Sequence, residues 1–515
     1  MAFLRKGNLV PSLSETRHIQ TLVADGEVKL AQFERARAQL AAQTERLQAD
    51  LHAWKQMLSP MRRLPLELLS EIFFRVLGYH DEDDPAVMGS LSRICQVCSR
   101  WRTLAFSIPR LWTNMFFSVP ETGPITHTLF AIIGDYLPRS APHHLHLRFD
   151  TPIYATHPPE NISTLLRAVV PFLDRLRSLQ LHLPLEALLA FSHFPDKPDA
   201  LPVLDAFSFS PPANISEPHM TGVDMALAPV LLKAPHLRDI DLSISDGNTL
   251  RAWPIPWSQI VILDLHQFFD TPESAQEALS HCSSLEQCSL KPIPLRHTGN
   301  PNSTSPLPIT LPLLKSMDIE FLYEIDDTTE GAASFFRHLN MPALSELQLF
   351  INAGADEFEV PLFVTHLFLR SGPSLKTLVL FGVQFEEGDI ELLLQSLPVL
   401  VNLKCEYCLV GHDQLFDALQ YHGPDGLPPL VPRLEKLEVL EYDVRMPITP
   451  HKIADTIVSR WWSDEDLLVV RPPVARWKNV QIWWENGGTL ELDEATWDRI
   501  SICCDEGLIV DLEVQ

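Results

Sequence analysis

Leu344-Ser345-Glu346-Leu347-Gln348-Leu349 and Leu375-Lys376-Thr377-Leu378-Val379-Leu380 carry one phrase: an apolar residue, two others, an apolar residue, one other, an apolar residue. Its last three positions alternate, which is the pattern of a short strand buried on one face. The phrase recurs on both sides. Before it stand Leu176-x-x-Leu179-x-Leu181, Leu204-x-x-Phe207-x-Phe209, Leu237-x-x-Ile240-x-Leu242, Ile260-x-x-Leu263-x-Leu265, Leu285-x-x-Cys288-x-Leu290 and Leu314-x-x-Met317-x-Ile319. After it stand Leu400-x-x-Leu403-x-Cys405, Leu434-x-x-Leu437-x-Val439 and Trp477-x-x-Val480-x-Ile482, and Leu145-x-Leu147 is a shorter first instance. Starts are spaced from 23 residues (Leu237 to Ile260) to 43 (Leu434 to Trp477). A period in this range signals a stacked array, in which each unit buries its neighbours and the two ends need covering.

The alternation also predicts which residues face outward. Between the last two apolar positions stand His146, Gln180, Ser208, Asp241, Asp264 and Ser289, then Asp318, Gln348, Val379, Lys404, Glu438 and Gln481. This column is almost entirely polar, which supports the register. The next outward column begins Arg148, His182, Ser210, Ser243, His266 and Lys291, and continues Glu320, Phe350, Phe381, Glu406, Leu440 and Trp483. Its later half turns large apolar groups toward solvent among acidic ones. Exposed aromatic groups ringed by polar ones are the composition of a binding hot spot. Asp318, Glu320, Phe350, Phe381, Glu406, Glu438 and Trp483 are therefore the candidate partner-binding residues, and their acidic members favour a basic or neutral partner.

A second block lies upstream. Leu64-Pro65-Leu66-Glu67-Leu68-Leu69 runs into Glu71-Ile72-Phe73, and after a gap come Val97-Cys98-Ser99-Arg100-Trp101-Arg102-Thr103-Leu104-Ala105 and Pro109-Arg110-Leu111-Trp112. Pro65 suits a first helical turn. Leu68, Leu69, Ile72, Phe73, Val76 and Leu77 recur at three- and four-residue spacing, as on one face of an amphipathic helix. A second helix is expected through Leu91, Ile94, Cys95, Val97, Cys98, Trp101, Leu104 and Ala105, ending before Pro109. Helices this short bury too little to stand alone, which leaves an apolar face for a partner.

These three separated elements, in this order, resemble the F-box, and the repeats resemble the degenerate leucine-rich repeats of fungal F-box substrate receptors. The resemblance implies that residues 61–115 dock onto the Skp adaptor, and through it a cullin scaffold, by Leu64, Pro65, Glu67, Leu68, Ile72, Phe73, Val97 and Trp101. It implies that residues 140–515 form an irregular solenoid, a horseshoe with a parallel sheet on its concave face and a Trp-rich C-terminal cap. It also implies the role: a protein substrate held by the repeats and brought to a ubiquitin ligase. The alternative is a repeat scaffold acting without the ligase. The fold class is α/β.

Ahead of this block, residues 1–26 read as a flexible start and 27–60 as a long helix. No Pro or Gly interrupts Glu27 to Leu58, and its Ala, Leu, Gln, Glu and Arg are strong helix formers. Phe33, Leu40, Leu47 and Trp54 fall seven apart, with Leu30, Arg37, Thr44, Leu51 and Leu58 as companion column. A short coiled coil would use this seam, but Arg37 and Thr44 weaken it. The expectation is a helix laid back on its own chain, in a monomer.

The formal net charge is −26, from 40 basic and 66 acidic residues, which disfavours nucleic-acid binding because phosphate contacts need clustered Lys and Arg. No segment approaches the roughly 18 apolar residues of a membrane span, so an intracellular protein, cytoplasmic or nuclear, is expected. The phosphate-cradling, dinucleotide, nucleophile-elbow and zinc-protease motifs do not occur in the chain, so neither enzyme activity nor a cofactor is expected. Cys95-x-x-Cys98 and Cys405-x-x-Cys408 have metal-knuckle spacing, but both pairs fall on predicted apolar positions and read as buried hydrophobes, leaving no expected metal.

Overall fold

The fold is that of a computed structural model. It describes residues 12–58, 60–78, 86–119, 127–151, 164–184, 194, 200–211, 229–243, 253–266, 272–294, 308–322, 330–352, 374–383, 385, 388–408, 412–424, 426–441, 449–464, 467, 472–484 and 494–514. The chain divides into two compact units, residues 1–80 with 94–105, and residues 81–93 with 106–515.

In the first unit, helix α1 spans Leu13–Met57. It starts well before the expected Glu27, and a capping box explains why. The Ser12 amide donates to Glu15 Oε2 at 2.9 Å, and the Glu15 amide donates back to Ser12 Oγ at 3.4 Å, so two orphan donors of the first turn are satisfied. Gly26 lies inside the helix with open space around its Cα, and one glycine costs only about 1 kcal/mol in a helix this long. The expected flexible segment is therefore helical from Leu13 on; residues 1–11 lie outside the described residues.

Helix α2 covers Leu66–Gly78, α3 covers Ala86–Val97 and α4 covers Ser99–Phe106. The single second helix read from the sequence is thus two. Cys98 breaks it: its carbonyl accepts the first bond of α4 from Arg102 N at 3.0 Å, which makes it the cap of a new helix. Its side chain is consequently exposed, while Cys95 is buried. This corrects the expectation that both are buried.

The second unit is built on one parallel sheet of 14 strands. In order these are β1 (Asn114–Ser118), β2 (Leu145–Asp150), β3 (Leu176–His182), β4 (Ala206–Ser210), β5 (Asp239–Ser243), β6 (Ile262–His266), β7 (Gln287–Pro294), β9 (Ser316–Leu322), β11 (Glu346–Asn352), β12 (Thr377–Phe381), β13 (Asn402–Glu406), β14 (Lys436–Glu441), β15 (Asn479–Trp484) and β16 (Ile509–Val514). The short β8 (Ile309–Thr310) and β10 (Leu339–Asn340) pair with each other. Strands join the sheet in chain order, as in a solenoid-like repeat domain. The apolar positions of each phrase are buried, with Leu347, Leu349, Leu378 and Leu380 at most 1% exposed. Each such side chain contributes about 1.5–3 kcal/mol by leaving water.

Pairing fixes the columns and corrects them at one end. Asp241 stands beside Asp264, Asp264 beside Ser289, Gln348 beside Val379, and Glu438 beside Gln481, as expected. At the start the neighbour of Gln180 is Arg148, and Asp150 is that of His182. His146 and Arg148 thus each belong one column earlier than the Leu145-x-Leu147 reading placed them. Leu147 and Phe149 take the apolar slots, each at most 1% exposed. Two strands of this sheet lie beyond the phrases named from the sequence, β1 and β16. β1 carries the whole phrase, Trp112-x-x-Met115-x-Phe117, whereas β16 carries only its alternating half, Val510-x-Leu512, with Gly507 at the leading position; they form the sheet's two edges. The expected C-terminal cap is one further unit, with helix Glu494–Asp505 turning at Gly507 (φ 107°) into β16.

Helices of successive units pack on one another: Pro272–Ser280 on Glu330–Arg337, Asp389–Gln395 on His412–Leu419, the latter on Pro450–Ser459, and that on Glu494–Asp505. The Pro- and Gly-containing segment 411–432, between β13 and β14, thus contains a helix. The Pro-, Ser-, Asn- and Asp-containing segments 191–201, 211–222, 292–308 and 323–331 lie mostly outside the described residues. Arg460, fully buried, holds the later units together. Its guanidinium donates to the carbonyls of Leu419 (2.6 Å), Leu430 (2.7 Å) and Val431 (3.1 Å) and lies 5.5 Å from the Trp477 ring centroid.

Candidate protein-binding surfaces

Helix α2 carries two apolar stripes. Leu69 and Phe73, four apart, are both wholly buried, and the Phe73 ring meets Trp101 at 5.1 Å between centroids. Leu68 is 52% exposed, Ile72 half-buried and Val76 exposed. These three share the other stripe by their spacing. Val97 at the end of α3 is 58% exposed, and Pro65 and Glu67 are exposed. The eight residues read from sequence thus separate by role. Phe73 is core, Trp101 and Leu64 are half-buried, and Pro65, Glu67, Leu68, Ile72 and Val97 offer surface. Arg100 is a residue the sequence reading missed. It donates to the carbonyls of Arg62 and Leu64, both at 2.7 Å, and so fixes the turn that presents Pro65 and starts α2. Its signal was position: it falls between Cys98 and Trp101, on the short helix facing the orphan carbonyls of that turn.

On the sheet, parallel pairing lines up Glu320, Phe350, Phe381, Glu406, Leu440 and Trp483 across β9 to β15. All six are half-buried. The Phe350 and Phe381 rings lie 5.6 Å apart, Phe381 meets Tyr407 edge-on at 5.0 Å, and Lys291 Nζ sits 5.3 Å from the Phe350 centroid. These aromatic groups form a continuous ladder, favourable in both ring–ring and cation–ring contact. Gly382 ends β12 with φ 68°, and a Cβ there would meet the Ile351 carbonyl oxygen at 2.1 Å. Only glycine lets the chain leave Phe381 in this direction.

The acidic rim is less negative than the sequence suggested. Asp318 pairs with Lys291, and Lys404 lies 2.9 Å from Glu406 and 3.7 Å from Glu438. Burial alone would depress the Lys404 ammonium, but the bond to Glu406 and the charges of Glu406 and Glu438 raise its pKa. Three of the site's four acids, Asp318, Glu406 and Glu438, therefore share two lysines.

Further toward β5, a cluster unmarked in the sequence comes together because neighbouring strands are in register. One ligand atom each from Asp241, Asp264 and His266 falls within 4.8 Å of the others. Metal ligands at about 2.1 Å from an ion stand closer to one another than that limit, and His266 Nε2 lies 3.0 Å from Asp264 Oδ1. The imidazole pKa is raised by its bond to Asp264, against burial, with the charges of Asp264 and Asp241 adding to it. Asp239 nearby is pushed up to about 6 by burial and by the charges of Asp241, Asp205 and Asp264. Cys405 and Cys408 are buried, and burial drives the Cys408 thiol well above its ordinary pKa.

Residues 61–118 match the F-box-like family. The chain carries an F-box-like domain. The match runs through α2, α3 and α4 and ends with β1, so the domain's last strand is the first of the sheet. No curated protein matches the chain. Among solved structures it is similar to one described as the crystal structure of the Rad7 and Elc1 complex in yeast, at 13% identity, over 90% of this chain and 95% of that one, with a TM-score of 0.34. Among the described residues, no helix is long and apolar enough to cross a membrane.

Proposed function

We propose that this F-box-like protein is a substrate receptor: the α2 stripe binds a Skp-type adaptor, and through it a cullin scaffold, while the sheet's aromatic ladder binds a protein substrate. The observation that carries the reading is the second apolar stripe of α2, Leu68, Ile72 and Val76, left uncovered within the domain that matches the F-box-like family. A stripe kept out of the core needs another chain to bury it. The substrate half of the reading is supported by Phe350, Phe381 and Trp483 in one outward column beside partly matched charge, which suits a neutral or mildly basic segment. The protein would contribute position, holding substrate close to a transferring centre in the cytoplasm or nucleus, and no chemistry of its own.

The test is co-purification of a Skp-type adaptor with the full chain and with Leu68→Ser/Val97→Ser. The variant should lose the adaptor at an unchanged melting temperature. Absence of the adaptor from the full-chain preparation would favour a repeat scaffold acting without a ligase, and adaptor retained at full yield by the variant would move its docking off the α2 stripe.

A further inference from the structure

The seam of α1 remains uncovered. Phe33 is 73% and Leu40 64% exposed, and Leu30, Leu47, Leu51, Trp54 and Leu58 are all exposed as well. Within its own compact unit the helix is not laid back on the chain, so the expectation of a monomer rests on Arg37 and Thr44 alone. At 1.5 Å per residue its 45 residues make a rod about 67 Å long. With Phe33, Leu40, Leu47 and Trp54 at heptad position d, Leu30, Arg37, Thr44, Leu51 and Leu58 take position a. The flanking positions then carry charge in a specific arrangement. Lys29 and Asp50 fall at g, and Glu34 and Lys55 at e.

We propose that α1 pairs with α1 of a second copy of this chain as a parallel, in-register coiled coil. In that register each g residue faces the e residue five positions on in the partner. Lys29 meets Glu34, and Asp50 meets Lys55, so both charged pairs are opposite in sign and each occurs twice by symmetry. Arg37 and Thr44 then have a purpose. Polar a positions disfavour higher oligomers and out-of-register pairing, at a cost in stability, and the Arg37 stem covers apolar neighbours while its guanidinium reaches the rim. The apolar d column supplies the driving force. Two copies would also carry two repeat sheets, so a substrate with two recognition segments would bind with the gain that linkage provides.

Light scattering after size exclusion tests this on the full chain. The expected mass is twice 58.3 kDa. Leu40→Glu/Leu47→Glu, both on exposed positions, should give a folded monomer. Lys29→Glu should weaken the dimer about fivefold, and adding Glu34→Lys should restore it. In a Cys98→Ser background, Leu47→Cys should crosslink to itself under oxidation, because only the parallel register brings the two copies of residue 47 together. A monomer at every concentration, a dimer that survives Leu40→Glu/Leu47→Glu, or no crosslink at 47 would overturn the proposal. Adaptor co-purification is unaffected by any of these outcomes.

Discussion

The strands of the sheet and helix α1 carry apolar patterns of similar regularity, and the two patterns meet opposite fates. Leu347, Leu349, Leu378 and Leu380 are buried because the next repeat in the same chain covers each strand. Leu40, Leu47 and Trp54 are exposed because nothing among the described residues of their compact unit covers them. A hydrophobic period states which face must leave water; it does not state whose surface will cover it. Helix α2 shows both outcomes within one element, with Leu69 and Phe73 inward and Leu68 and Val76 outward.

The largest effects should come from groups whose partners are already inside the chain. Arg460→Met would strand the carbonyls of Leu419, Leu430 and Val431, and should lower stability by about 3–5 kcal/mol in a denaturant melt. Gly382→Ala places a Cβ against a backbone oxygen at 2.1 Å and should lower stability by about 2–3 kcal/mol. Tolerance of either would show that the later repeats are looser than their packing indicates.

A paired measurement within α2 sharpens the comparison. Phe73→Ala removes a ring packed on Trp101 and should destabilise the protein by about 3–4 kcal/mol. Leu68→Ala should cost under about 0.5 kcal/mol, since surface changes are small, yet reduce adaptor recovery. Equal thermal losses would mean that the two stripes are not distinct.

The repeat strands were legible because the period-2 signal is enforced on both sides by identical neighbours. The sheet edges were not: β16 has Gly507 where the phrase begins with an apolar residue, and the Trp112 that leads β1 also closes the Pro109-Arg110-Leu111-Trp112 element, which assigned it to the upstream block. The break at Cys98 was hidden for a different reason: a cap without Ser, Thr, Asp, Asn or Gly gives no warning. For the candidate sites, spacing revealed which residues share a column. It could not reveal that Lys291 reaches Asp318 or that Lys404 reaches Glu438 as well as Glu406 on its own strand, since the contacts to Asp318 and Glu438 join different strands through long side chains.

On the sheet's ladder, intermediate burial predicts intermediate loss. Phe381→Ser and Trp483→Ser should each lower stability by about 1–2 kcal/mol, between the values for exposed and core rings. Substrate capture at unchanged strength in both would separate the ladder from recognition.

The smallest effect is a pH dependence, and its sign is opposite to that of an ordinary carboxylate pair. Asp239 titrates near pH 6 in the folded protein, against about 3.8 unfolded, because burial and the charges of Asp241, Asp205 and Asp264 penalise its anion. Between those two values the folded state holds more protons, so stability falls as pH rises from about 4 to about 6. For a fully buried group the displacement would be worth about 3 kcal/mol; Asp239 is half-buried, and screening reduces this to about 1 kcal/mol. His266 continues the trend. Its raised pKa gives a contribution that is complete below 6.5 and is lost as pH climbs through the folded value. Asp239→Asn should therefore flatten the decline between pH 4 and 6 and leave the protein more stable at pH 7, read from denaturant midpoints across that range. A variant less stable than the parent at pH 7 would show that the aspartate's hydrogen bonding outweighs the repulsion it meets.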